Sequence, residues 1–338
     1  MDGRLISRAT ALSYSGPMNA VQARIAALTG SRRVRYHGHC RQGLWVEGQQ
    51  RMKPVLRVSG LKIEFPTRRG PFRAVDDVSF EVQPGERLGL IGESGSGKST
   101  IALSLMRLIK PPGRVAAGSA MLETDNGTVD LFATSEDQMR SMRLAEIALV
   151  TQGAMNSLNP VMRIRNQIVD AMEAHGVRHD HAGWQAQLTE LLATVNLKPD
   201  VLDLYPHQLS GGMKQRVCIA IAISLQPRLI IADEPTSALD VVVQRRVMQT
   251  LRRVQKRIGA AVILIGHDMG LMAQFAQRVA VMKSGKIVEM GEVRQIFAHP
   301  EHPYTRLLMH SLPSLDPLSR ASLLTPTEPE RVATPEPV

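Results

Sequence analysis

The run Gly92-Glu93-Ser94-Gly95-Ser96-Gly97-Lys98-Ser99 contains the residue types that bind a triphosphate. Glycines let backbone N–H groups turn inward and meet phosphate oxygens closely. A lysine can reach the terminal phosphates, and a serine hydroxyl can ligate the magnesium that accompanies them. The run follows a short apolar strand, Leu88–Ile91, and opens a helical pattern from Thr100 to Met106. A phosphate-binding loop needs this strand, loop and helix order, because the helix N-terminus adds partial positive charge at the same point. Gly92, Glu93, Ser94, Gly95, Ser96, Gly97, Lys98, Ser99 and Thr100 are therefore the candidate nucleotide-binding residues.

A carboxylate pair, Asp233 and Glu234, follows the apolar run Leu229–Ala232. Carboxylates at the carboxyl end of a parallel strand stand where open α/β sheets bind ligands. There Asp233 can hold magnesium, and Glu234 can orient and deprotonate an attacking water. A further motif is Leu209-Ser210-Gly211-Gly212-Met213-Lys214-Gln215-Arg216. Ser210 can cap a helix that continues through Val217, Ala220, Ile221 and Leu225. Its hydroxyl, the bare N–H groups of Gly211 and Gly212 and the helix dipole make a second anion site. Two phosphate-grade loops and one carboxylate pair on one chain are explained most simply by two protomers meeting head to tail, each closing the other's nucleotide site.

The elements that must position these groups read as an α/β fold. From Val55 to Phe80 the pattern is alternating strands around a Pro66–Pro71 turn. Leu229–Ala232 and Ala261–Ile265 are continuous apolar runs of strand length, suited to a mainly parallel sheet covered on both faces. Val279–Met282 and Lys286–Met290 flank Lys283-Ser284-Gly285 as a hairpin. Helical spacing at Ile164, Ile168 and Met172, and again at Leu188, Leu191, Leu192 and Val195, places a mainly helical insert between about residues 150 and 225.

A chain of 338 residues with 43% hydrophobic content can bury a substantial core, filled by Leu, Ile, Val, Ala and Met because aromatics are only 4%. Cys40 and Cys218 cannot build a disulfide framework, which fits a reducing cytosol. No apolar run approaches the roughly 18 residues of a membrane span, and the first residues lack the unbroken apolar core of a secretory signal. The net charge of +10 raises nucleic acid or anionic lipid as partners. Eight arginines between Arg4 and Arg51 face only Asp2 and Glu47, however, so the basic character belongs mostly to the N-terminal segment. Residues 1–51 read as a disordered extension or an upstream start assigned in error, with an Arg-rich targeting peptide as the alternative. From Pro313 onward Pro, Ser, Thr and Glu dominate, as in a flexible tail.

At its motifs the chain resembles the ATP-binding subunits of ABC transporters, over about Val55 to Pro313. The phosphate loop, Gln152, Leu209–Gln215, Asp233-Glu234, Ser237-Ala238-Leu239-Asp240 and His267-Asp268 stand in the family's order and spacing. The resemblance implies the ABC ATPase fold: a P-loop NTPase core of mainly parallel sheet, an antiparallel N-terminal β subdomain and a helical insert, over residues 52–312. It implies ATP as substrate and Mg2+ as cofactor, with Ser99, Gln152 and Asp233 at the metal and Glu234, His267 and Gln152 as catalytic residues. Ser210, Gly211 and Gly212 would contact the nucleotide held by the opposite protomer, Asp240 would link the two sites, and Phe65, with Phe72 as the alternative, would stack on adenine.

Val75–Phe80, Ser157-Leu158-Asn159-Pro160 and His302-Pro303-Tyr304-Thr305-Arg306-Leu307-Leu308 resemble the oligopeptide/dipeptide uptake group, which includes nickel and some oligosaccharide importers. The implied partners are two membrane permease subunits, a second ABC ATPase subunit and, through the permease, an extracytoplasmic solute-binding protein, with no nucleic acid. The implied place is peripheral, on the cytoplasmic face of the bacterial inner membrane. Met213 stands where a Gln is common, and Gly266 where a Thr usually precedes the histidine. No cysteine follows Cys218, so no C-terminal iron–sulfur cluster is expected. The alternative function is a soluble ABC ATPase acting on nucleic acid or ribosomes. A small-molecule kinase would leave Leu209–Gln215 unexplained.

Overall fold

Two sheets carry the fold of this computed structural model, which describes residues 53–310 other than 69, 152, 154–156 and 238. The extension at 1–51, the tail at 313–338 and Gln152 lie outside the described residues. The first sheet is antiparallel, with strand order β2-β1-β4-β5. Its strands are β1 (Leu56–Thr67), β2 (Gly70–Val82), β4 (Arg114–Thr124) and β5 (Gly127–Asp130). Leu56, Val58, Leu61 and Ile63 of β1 are buried, and the alternation slips where register shifts mark a bulge between Val58 and Leu61.

The second sheet has the order β10-β9-β3-β8-β7-β6. It comprises β3 (Arg87–Ile91), β6 (Ile147–Val150), β7 (Leu229–Asp233), β8 (Ala261–Gly266), β9 (Arg278–Lys283) and β10 (Lys286–Glu292). All neighbours pair in parallel except β9 and β10, which form the hairpin turning at Ser284-Gly285. The central strands are buried along their length because each face has its own core. Leu229, Ile231, Ala261 and Ile263 share one core with Leu56, Val75 and Ile101, whereas Ile230, Ala232, Val262 and Leu264 share the other with Val217, Leu251 and Met272. Alternation with period two thus runs inside strands that read as unbroken apolar runs.

The helices are α1 (Lys98–Leu105), α2 (Glu136–Met142), α3 (Ile164–Glu173), α4 (His181–Thr194) and α5 (Gly211–Ile223). They continue as α6 (Val241–Ile258), α7 (Met269–Phe275), α8 (Val293–Ala298) and α9 (Pro303–His310). Helices α3, α4 and α5 fill the stretch between β6 and β7. Ile164, Ile168 and Met172 of α3 are all buried, as their spacing predicts. Among the described residues, no helix is long and apolar enough to cross a membrane.

Candidate functional site

Three adjacent parallel strands end at one place. β3 delivers the glycine loop, β7 delivers Asp233 and Glu234, and β8 leads to His267. The loop is walled so tightly that two glycines are obligatory. Gly92 has φ +151°, and a Cβ there would lie 2.2 Å from the Met282 carbonyl oxygen. Gly97 has φ +103°, and its Cβ would lie 2.5 Å from the Ala74 carbonyl oxygen. Gly97 caps α1 with no side-chain acceptor, so the first-turn N–H groups have no capping oxygen from that residue. Ser96 N–H closes a turn on the Glu93 carbonyl at 3.2 Å. Glu93, Ser94 and Gly95 are exposed at the rim, Ser96, Gly97 and Lys98 are buried, and Ser99 and Thr100 are half-buried.

Lys98 folds back into this loop. Its ammonium donates to the Gly92 carbonyl (2.8 Å), the Glu93 carbonyl (2.7 Å) and Ser96 Oγ (3.1 Å). Burial pulls its pKa down, while Glu234, Asp233 and Glu93 push it back up. Ser99 Oγ donates to Asp233 Oδ1 at 3.0 Å. Burial raises the Asp233 pKa, Glu234 adds to the rise, and Ser99 and Lys98 oppose it. Octahedral magnesium with bonds of about 2.0–2.1 Å sets neighbouring ligand oxygens roughly 2.9 Å apart. The Ser99–Asp233 pair offers one hydroxyl and one carboxylate oxygen at that separation, so the donor set fits the ion. Among the described residues, no group of three or more His, Cys, Asp or Glu could cage a metal.

Glu234 sits at φ +45°, a left-handed conformation that costs a non-glycine residue on the order of 1–3 kcal/mol. Its own N–H donates to the Ile265 carbonyl at 2.9 Å, and its carbonyl accepts from Ser237 N–H (3.1 Å) and Ser237 Oγ (3.0 Å). Its carboxylate meets His267 Nδ1 at 3.0 Å. The histidine is 71% exposed, so one edge of the ring is fixed while the rest faces solvent. A Cβ at Gly266 would stand 3.1 Å from Met272 Cε, so the residue that departs from the family pattern sits against a filled core.

The remaining candidates stand elsewhere. Ser210 caps α5, accepting from Met213 N–H at 3.3 Å, and is exposed; Gly211 is half-buried, and a Cβ at Gly212 would lie 2.5 Å from Val243. Among the described residues no hydrogen bond or ion pair joins Ser210, Gly211 or Gly212 to Gly92–Ser99. Asp240 caps α6, accepting from Val243 N–H at 2.9 Å. Phe65 is half-buried, its ring against Ile109 and Gly113, where an added Cβ would lie 2.4 Å from Phe65 Cε1. Phe72, its cross-strand neighbour, is 58% exposed. Two features of the site escaped the sequence reading: the Met282 and Ala74 carbonyl walls, and the Tyr304 hydroxyl, which accepts from Glu93 N–H at 3.1 Å. Tyr304 had a visible signal, its place in a recognised motif, but no spacing could put it beside a loop 211 residues away.

A phosphate loop, a strand-end carboxylate pair and an antiparallel sheet on a mainly parallel one define an ATP-binding cassette. The ABC transporter family profile matches residues 75–237, and the oligopeptide/dipeptide transporter C-terminal region matches 288–336. The dipeptide transport ATP-binding protein DppD of Haemophilus influenzae is 45% identical over 262 residues, 77% of this chain and 78% of that protein. The glutathione import ATP-binding protein GsiA of Salmonella paratyphi A is 45% identical over 80% of this chain, which spans 44% of that longer protein. A solved dimeric cassette, MJ0796 with ADP and phosphate in a post-hydrolysis state, superposes with TM-score 0.61 at 25% identity, covering 71% of this chain and 99% of that one. The chain belongs to the ATP-binding subunits of ABC transporters, in the oligopeptide/dipeptide branch, and is an ATPase. These relatives favour the importer reading over the nucleic-acid alternative.

Proposed function

We propose that the chain powers uptake of oligopeptides, dipeptides or a related small solute, hydrolysing ATP between its own phosphate loop and the Ser210 corner of a second ATPase subunit. The observation that carries this reading is the meeting of Lys98, Ser99, Asp233, Glu234 and His267 at three strand ends. Backbone N–H groups of Gly92–Thr100 cradle the phosphates, Lys98 pairs with the terminal ones, and Phe65, with Phe72 as the alternative, stacks on adenine. Ser99, Asp233 and Gln152 would hold Mg2+, which would supply neutralisation of phosphate charge. Glu234 takes the proton of the attacking water as its oxygen bonds the γ-phosphorus and the bond to the β–γ bridging oxygen breaks. His267, held by Glu234 through Nδ1, turns its free edge to the γ-phosphate.

Ser210, Gly211 and Gly212 serve the partner's nucleotide, and Asp240 lies at the seam. Val241 and Val242, 79% and 61% exposed beside Asp240, are apolar residues that a second subunit would cover. The permeases would dock near Ser157–Met162, where a groove of about 370 Å3 is lined by Leu149, Leu158, Met162 and Cys218 and exposed Val161 adjoins it. Such a chain works peripherally, at the cytoplasmic face of the membrane, and reaches a solute-binding protein only through the permease. Its ATPase domain spans 52–312, with the helical subdomain at about 150–225. Purifying the assembly from membranes tests this. Two multi-span permeases and an ATPase pair should accompany the chain, and ATP turnover should rise when loaded solute-binding protein is added. Recovery with ribosomes or nucleic acid instead would overturn the reading.

A further inference from the structure

Two hydrogen bonds tie the phosphate loop to the last described elements of the chain, and the chemistry above uses neither. Gly285 N–H, in the turn between β9 and β10, donates to the Ser96 carbonyl at 3.1 Å. Glu93 N–H donates to the Tyr304 hydroxyl, on α9, at 3.1 Å. Because Ser96 N–H closes back on the Glu93 carbonyl at 3.2 Å, the two contacts grip both ends of one turn.

Tyr304 is itself held firmly. It is 3% exposed, and the Lys283 ammonium stands 4.7 Å from its ring centroid. The Glu289 carboxylate of β10 accepts from Glu301 N–H (2.8 Å) and His302 N–H (3.0 Å), which fastens the start of α9 to the sheet. Burial raises the phenol pKa, so the hydroxyl stays neutral and keeps its acceptor lone pairs for the Glu93 amide.

We infer that Tyr304 is a positioning residue for the phosphate loop: its hydroxyl fixes the Glu93–Ser96 turn in the form that receives the triphosphate, so the C-terminal segment shares in ATP binding. The inference rests on the phosphate-loop reading of Gly92–Ser99. Without the hydroxyl, the Glu93 amide loses its partner and the turn must be ordered at the moment of binding.

The test compares the unaltered chain, Tyr304→Phe and Lys98→Ala by MgATP titration, thermal unfolding and hydrogen exchange of the loop amides, and by steady-state turnover of each assembled with its partner ATPase subunit. Tyr304→Phe keeps the ring and its contact with Lys283. Faster exchange at Glu93 and a Kd and KM for ATP raised about tenfold are expected, the scale of one buried amide left without a partner. The kcat at saturating ATP should change far less. A lower melting temperature with unchanged loop exchange and unchanged ATP affinity makes Tyr304 a packing residue and overturns the proposal. Should Tyr304→Phe fail to fold, Glu289→Gln loosens α9 without touching the phenol; it should raise KM in the same direction, and an unchanged KM overturns the proposal. Equal ATP affinity in the unaltered chain and Lys98→Ala overturns the phosphate-loop reading, and the Tyr304 assignment with it.

Discussion

The phosphate loop and the Ser210 corner are both glycine-bearing helix starts, yet the fold treats them differently. The loop is clamped by the Met282 and Ala74 carbonyls, by Gly285 N–H and by the Tyr304 hydroxyl, with Lys98 folded inside. The corner is exposed at Ser210 and held mainly by its own cap and by the packing of Gly212 on Val243. One is a finished receptor. The other is an exposed helix start that, among the described residues, makes no hydrogen bond to the chain's own phosphate loop. On the proposed function, preorganisation differs accordingly: a walled loop would bind ATP in a single chain, whereas an open corner would act only when ATP and a second subunit arrive together.

The sharpest division between binding and chemistry is expected from Glu234→Gln. It should lower turnover by about 100-fold or more, the usual scale of a general base. ATP should still bind, so the variant accumulates as an ATP-bound pair, readable by size-exclusion chromatography. Normal turnover would remove Glu234 from its role. Lys98→Ala should weaken ATP binding to the lone chain by about tenfold to hundredfold, the range for a charge-assisted hydrogen bond. Unchanged affinity would break the receptor half of the comparison. Ser210→Ala should leave ATP affinity of the lone chain as it is, cost about 1 kcal/mol of helix capping, and slow turnover of the assembled pair about tenfold. Weaker ATP binding by the isolated Ser210 variant would erase the distinction between the two regions.

Much of this was legible from residue types alone. Strands β3, β7 and β8 announced themselves as apolar runs, and the loop, carboxylates and corner stood at their ends or at helix starts. Strands β4 and β5 were not read from the sequence. Ala116, Ala117, Gly118, Ser119 and Ala120 have low strand propensity, and β1 supplies the pairing that makes them a strand. Asp125-Asn126-Gly127 was a usable turn signal there. The contact of Glu93 with Tyr304 joins residues 211 apart, and only the hairpin of β9 and β10 and the anchoring of α9 bring them together. The 3.0 Å approach of Ser99 to Asp233 likewise depends on strand order, which no local pattern encodes.

The most direct measurement is ATP turnover per chain against protein concentration, for the purified chain alone and with the ATPase subunit that accompanies it from membranes. The expected result is ATP binding without turnover at high dilution, and turnover that rises with the subunit carrying the closing serine corner. A chain that stays monomeric, hydrolyses ATP at its full rate at every concentration and is indifferent to Ser210→Ala would contradict the account.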